Sequence, residues 1–316
     1  MQSDKRAVHK GQASGLQKTL RQYWRYRYLM LLLIPSIAVL ILFRYIPIYG
    51  VQIAFKDFKI RQGIWGSPWV GFAVFEKIFS LPVFWSAFKN TVILGFMNLL
   101  IGFPLPILLA LLLNELRHER YKKLVQTFSY LPHFISWVTL SGLFIQLLSP
   151  STGPVAQLFQ FFGFKPYYFM GEASTFRWVL VITNAWKSIG WGSIIYLAAL
   201  AGVDQEMYEA ALIDGATRLQ RILYITLPSI APTITIMLIL RAGSIINDNF
   251  DQVYNMTNAA VYQVSNVLGV YTYELGLKNM RYAESTAVGL FKNVISFSLV
   301  LMTNMVSTKV NDYGIW

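Results

Sequence analysis

Cysteine is absent from this 316-residue chain, which excludes disulfides, thiolate zinc sites and a cysteine nucleophile while leaving the compartment undecided. Histidine is nearly absent: His9, His118 and His133 are too scattered to read as a ligand set. Charge is scarce too, at 13% of residues against 55% hydrophobic. A soluble domain carries about a quarter charged residues, so this composition points to a membrane protein. The net charge of +12 does not indicate a nucleic-acid partner, because the Lys and Arg lie between apolar runs rather than gathered on one folded face. Also missing is a G-x-x-x-x-G-K-[ST] phosphate loop, so the chain cannot itself hydrolyse ATP.

What the chain does contain is long apolar runs. A bilayer-crossing helix needs about 20 mostly apolar residues, and six stretches qualify: 28–46, 88–113, 124–148, 177–200, 229–246 and 286–306. The expected fold is therefore an all-α polytopic membrane protein, with a basic segment 1–27, a six-span domain 28–306 and a tail 307–316. Pro104 and Pro106 predict a kink in the second span, tolerated where neighbouring helices satisfy the freed backbone. The first run follows a long basic leader and ends in "FRYIPIYG" without a small-x-small cleavage site, so it reads as a retained span. The leader, with Tyr23, Trp24, Tyr26 and Tyr28 beside its basic residues, is suited to anchoring on anionic lipid.

Basic residues set the orientation. Segments 1–27, 114–123, 201–228 and 307–316 hold 14 Lys and Arg, whereas the longer alternate set 47–87, 149–176 and 247–285 holds 7. Both termini and residues 201–228 are therefore expected in the cytoplasm.

That last segment is unusually polar for this chain. In "VDQEMYEAALIDGA", Asp204 is a good N-cap and Glu206 suits the positive end of a helix dipole. Gly215 is placed to end the helix in a left-handed conformation. "TRLQRILYIT" can form a second short helix, and Pro228 suits the first turn of span five. Tied to two spans, such a pair would act as a lever, with Ala210 and Ala211 letting another protein approach closely. A surface loop with solvated charges fits the same pattern.

The spacing Glu209-Ala210-Ala211, three residues, Gly215, nine residues, Ile225, one residue, Leu227-Pro228 resembles the EAA motif of permease subunits in binding-protein-dependent ABC importers. "YIPIYGVQIAFKDFKI", "GSPWVGF" and "FDQVYNMTNAAVYQVSNVLGVYTYELGL" are similar to the subgroup that imports oligosaccharides and polysaccharide fragments. The resemblance implies a type I importer fold and a bacterial inner-membrane location. It implies as partners a cytoplasmic ATPase dimer carrying ATP and Mg²⁺, a second permease subunit and an extracytoplasmic solute-binding protein; no cofactor is expected on this chain. Within the motif, Glu209, Ala210, Ala211, Asp214, Gly215, Leu227 and Pro228 would couple to the ATPase, Glu209 by polar contacts and Gly215 by allowing the turn.

The six runs contain no Asp or Glu but hold Lys187, Arg241 and Lys292 away from their ends. Charges at such depth face water or protein, so these three are candidate pathway residues favouring an anionic solute; pairing with a partner's acids or snorkelling to headgroups is the alternative. Asn184, Lys187 and Trp191 share one face of span four and complete the candidate pathway set. An acidic, uronate-containing oligosaccharide is the expected solute. "NDNFDQVYN", Asn247 to Asn255, resembles the aspartate motif of intramembrane prenyltransferases, but Asn255 replaces the next acid and no second cluster follows. A channel or secondary transporter would call for internal repeats or intramembrane acids, and neither is evident.

Overall fold

The computed structural model describes residues 24–116, 118–311 and 314. Most of the basic leader, and the tail residues 312, 313, 315 and 316, lie outside that set. Contacts divide the chain at Gln52/Ile53. The first unit holds all but the last three residues of α1, an apolar helix over Arg27–Phe55 that loosens into a π turn at Ile41–Tyr45 just before Pro47. Proline has no N–H to donate, and its ring crowds the preceding turn.

Eleven further helices matter in the second unit. They are α2 (Ala73–Phe79), α3 (Pro82–Asn114), α4 (Glu119–Phe134), α5 (Trp137–Leu147), α6 (Pro154–Phe161) and α7 (Ala173–Ala201). Then come α8 (Gln205–Ile213), α9 (Arg218–Gly243), α10 (Phe250–Met256), α11 (Leu268–Tyr273) and α12 (Tyr282–Asn311). Among the described residues, strand pairing is limited to one isolated antiparallel bridge, Lys56 with Trp69.

Among the described residues, four helices, α1, α3, α9 and α12, are long and apolar enough to cross a membrane. The fourth expected span is α7, 29 residues long. It falls short on apolarity because Thr183, Asn184, Lys187 and Ser188 dilute it, and its place in the bundle accounts for that. It packs on α3, α4 and α9, burying Phe176, Leu180, Val181 and Tyr196, so one face meets protein rather than lipid. Gly190 permits the closest of these crossings, since a Cβ there would collide with the Ser129 backbone of α4. Small residues commonly allow such approach between membrane helices.

Two expectations need correction. The third span, 124–148, is not one helix: α4 and α5 meet at 103°. Pro132 opens a 3-10 turn over Leu131–Phe134, and Ser136 is extended, its hydroxyl capping α5 by accepting from the Thr139 N–H at 3.2 Å. The fifth span begins at Arg218 rather than 229, so the second short helix is its first turns. Pro228 follows a π turn over Ile222–Thr226, which absorbs the missing N–H without breaking the helix. The kink expected in the second span is present as an interruption at Phe103, immediately before Pro104.

Three packed clusters hold the bundle. One joins α2, α3, α11 and α12 around Phe84 and Leu268. A second joins α7 to α10 around Phe176 and Met256. The third lies where α3, α7 and α9 converge next to α8, around Ala110, Leu200 and Ile230. Asn90 stitches α3 to the chain between α10 and α11 by donating to the Gln263 and Asn266 carbonyls, while Arg177 donates to its Oδ1 at 2.8 Å.

Candidate functional site

Two regions carry the expected functional residues. The first is an elbow, α8 and its turn into α9. The Asp204 carboxylate accepts from the Glu206 N–H at 3.0 Å, capping α8. Its other end is closed by paired bonds, Gly215 N–H to Leu212 O and Ala216 N–H to Ala211 O at 3.1 and 2.9 Å. That arrangement is a Schellman motif, and Gly215 sits at φ +78°, a left-handed conformation that costs other residues about 1–2 kcal/mol. Thr217 then opens α9 with a capping box: its hydroxyl accepts from the Gln220 N–H while Gln220 Oε1 accepts from the Thr217 N–H at 2.7 Å.

The elbow is seated on the bundle by its inner face. Val203, Tyr208, Ile225 and Leu227 join the third cluster, and the Tyr208 and Thr226 hydroxyls share a hydrogen bond of 2.9 Å. The outer face is the reverse of a solvated loop. Leu212 and Ile213 are 55% and 87% exposed, and Tyr224 is 77% exposed. Glu209, Ala210 and Pro228 are exposed and Ala211 is half-buried. A cleft of about 290 Å³ opens between α8 and α9, lined by Ala211, Asp214, Gly215, Arg221, Tyr224 and Ile225 among others. The expected motif residues are thus split, with Leu227 in the seat and Ala211, Asp214 and Gly215 at the cleft.

The second region is a polar cavity of about 290 Å³ enclosed by α3, α7, the end of α9 and the start of α10. Amides ladder across it. Asn249 donates to Asn184 Oδ1 at 2.7 Å, Asn184 to Asn98 Oδ1 at 2.8 Å, and Asn98 to the Leu94 carbonyl at 2.9 Å. Gln252 donates to Leu180 O and to Thr183 Oγ1, both at 2.8 Å. A further cavity of about 240 Å³ lies nearer the elbow, lined by Phe103, His133, Trp191 and Tyr196 among others. There Trp191 stacks on His133 at 4.5 Å with parallel rings.

The three cations have different surroundings. The Lys187 ammonium donates to the carbonyls of Pro132, His133 and Ile135. It therefore caps the break between α4 and α5, where the interrupted helix leaves carbonyls without helical donors. Lys292 pairs with Asp248 at 3.1 Å, and Asp248 also accepts from the Gly269 N–H at 2.6 Å. Arg241 lines both cavities and, among the described residues, forms no ion pair. Of the candidate pathway set, Asn184, Trp191 and Arg241 line cavity walls, whereas Lys187 and Lys292 are engaged in holding the fold.

Asp248 and its neighbours in "NDNFDQVYN" are accounted for the same way. The carboxylate serves Lys292 and Gly269, and among the described residues no group of three or more acids or histidines could hold a metal. Asn98, Asn249 and Gln252 were not among the expected residues; an Asn in the middle of an apolar run was the available signal for Asn98.

Residues 89–311 match the family described as "Binding-protein-dependent transport system inner membrane component". The chain is 43% identical to Protein LplB of Bacillus subtilis (strain 168), over 92% of both chains. It is 42% identical to that organism's polygalacturonan/rhamnogalacturonan transport system permease protein YteP, over 92% of this chain and 90% of the relative. A chain of a bacterial ABC transporter involved in the import of the acidic polysaccharide alginate superposes with a TM-score of 0.85 at 39% identity, covering 93% of this chain and 99% of that one. The same transporter has been solved with an alginate pentasaccharide-bound periplasmic protein. An all-helical bundle with this match over most of its length belongs to the binding-protein-dependent transport system inner membrane component family: the chain is a permease of an ABC importer, with the type I fold, and not an enzyme.

Proposed function

We propose that this chain is one of two permease subunits of an importer for acidic, uronate-containing oligosaccharides, with its termini and elbow in the cytoplasm. An extracytoplasmic binding protein delivers the solute. ATP and Mg²⁺ act on a separate ATPase dimer, which docks at the elbow through Glu209, Ala210, Ala211, Asp214 and Gly215, with Leu227 and Pro228 fixing the turn into α9.

The observation that carries the docking reading is the inversion at α8. A nine-residue helix capped at both ends turns Leu212 and Ile213 outward, which a solvated loop has no reason to do and a protein interface does. Motion of the ATPase would reach the bundle through the Tyr208–Thr226 bond and the cluster around Ile230. The bond bears on α9, which carries Arg241, and the cluster on both α9 and α7.

Support for an acidic solute comes from two sides. Two similar proteins are described as handling polygalacturonan or rhamnogalacturonan and alginate. Arg241, a cation in the last turn of α9, forms no ion pair among the described residues, and the carboxylate on the cavity wall it shares, Asp248, is held by Lys292. An anionic solute would supply the counter-charge. The test is reconstitution of the complete complex in proteoliposomes with loaded binding protein. ATP-dependent uptake of galacturonate or mannuronate oligomers over neutral ones is expected; uptake that ignores ATP, or prefers neutral sugars, contradicts the reading.

A further inference from the structure

The two cavities meet at a single residue. On α7 the wall passes from Leu180 and Asn184 in the polar cavity to Ser188, Trp191 and Tyr196 in the aromatic one. On α3 it passes from Asn98 to Gly102 and Pro106, and along α9 from Ser244, just past its end, to Met237; of the residues lining either cavity, Arg241 alone lines both. On α7, Leu180, Asn184, Ser188, Gly192 and Tyr196 follow at steps of four, with Trp191 beside Gly192; steps of three or four link the positions along α3 and α9, which keeps each set on one side of its helix. From Leu180 to Tyr196 the wall rises about 24 Å at 1.5 Å per residue, most of a hydrocarbon thickness of about 30 Å. The guanidinium lies over Gly102, where a Cβ would stand 3.6 Å from it, beside the interruption of α3.

We infer that this stripe is the chain's share of the solute path, that Arg241 is its carboxylate-selecting contact, and that Trp191 forms a ring-stacking subsite on the elbow side of it. This inference rests on the importer reading above and adds to it the residues that read the solute. The amide ladder of Asn98, Asn184 and Asn249 offers acceptors and donors suited to sugar hydroxyls. Beyond it, Arg241 presents a planar fork that matches a carboxylate bidentately, which an ammonium cannot do. Past the fork, Trp191 has one ring face on His133 and remains 47% exposed, a flat apolar surface for the C–H face of a pyranose. Lys187 and Lys292 are excluded as selectors by their own partners, the carbonyls of the α4–α5 break and Asp248.

The experiment uses the full complex in proteoliposomes and two probes, trigalacturonate and its carboxyl-reduced counterpart, a neutral trisaccharide of the same shape. The readout is the ratio of their initial uptake rates. Loss of a charge-assisted bidentate contact is expected to lower that ratio about tenfold or more in Arg241→Met, with a partial fall in Arg241→Lys. Trp191→Ala is expected to slow both probes together. An unchanged ratio in Arg241→Met overturns the inference; where that variant fails to assemble, Arg241→Gln is judged by the same two outcomes. Wild type that takes up only the neutral probe overturns both the acidic-solute reading and the selector. Wild type whose ATPase responds to no loaded binding protein overturns the importer reading itself, and the inference with it.

Discussion

At the elbow, the caps and the turn are closed by residues two to five positions away, with the Tyr208–Thr226 bond as the longer tie to α9, and apolar side chains face outward. In the polar cavity the arrangement is inverted: polar side chains point inward and are joined across separations of 44, 65 and 86 residues. The elbow can therefore keep its shape while changing partners, because the hydrogen bonds of its caps and turn are local. The cavity keeps its shape only while α3, α7, α9 and α12 stay in register. The proposed docking element and the proposed conduit call for those opposite designs.

The contrast is broken most severely at the Lys292–Asp248 pair. Asp248 is 3% exposed in its side chain, and removing one partner of a buried pair costs about 3–5 kcal/mol. Lys292→Met is expected to lower the detergent-solubilised melting temperature sharply, and the double variant Lys292→Met/Asp248→Asn to recover part of it. Next comes Lys187→Met, which strands carbonyls at the α4–α5 break at about 1–3 kcal/mol for a buried unpaired group. The melting temperature should fall, with Lys187→Arg falling less. Transport lost at unchanged stability would return Lys187 to the pathway.

Elbow variants should separate stability from coupling. Gly215→Ala places a Cβ in a left-handed residue at about 1–2 kcal/mol, a modest thermal effect, while ATPase stimulation in the complex should drop strongly. Asp204→Ala, which removes only a cap worth about 1 kcal/mol, should give the smallest thermal shift and a mild loss of coupling. Thermal unfolding and ATPase assays on the same preparations check both.

The same contrast explains what the sequence disclosed. The Asp204 cap, the Gly215 turn and the identity of α7 as a helix follow from neighbours along the chain, and each is found where expected. The break of the third span is harder to read, because the run 124–148 carries no acid, Lys or Arg to interrupt it; what divides it is Pro132 together with a cap supplied by Lys187 from another helix. The partners of Lys187 and Lys292 were equally hidden, since each lies 44 to 55 residues distant. Hydropathy sees that a cation is deep, not what it touches. Conversely α7 looked like an ordinary span, and only its packing on three helices explains why so polar a sequence belongs there.

The central claim is that the elbow docks an ATPase. It is tested most directly by co-purification: the chain is expressed with its genomic neighbours, isolated in mild detergent, and compared with Ile213→Asp and Gly215→Asp, neither of which disturbs the cluster beneath the elbow. The account predicts that a phosphate-loop ATPase accompanies the wild type in stoichiometric amount and is lost from both variants while they remain monodisperse. An ATPase retained undiminished by both variants, or absent from folded wild type, would contradict it.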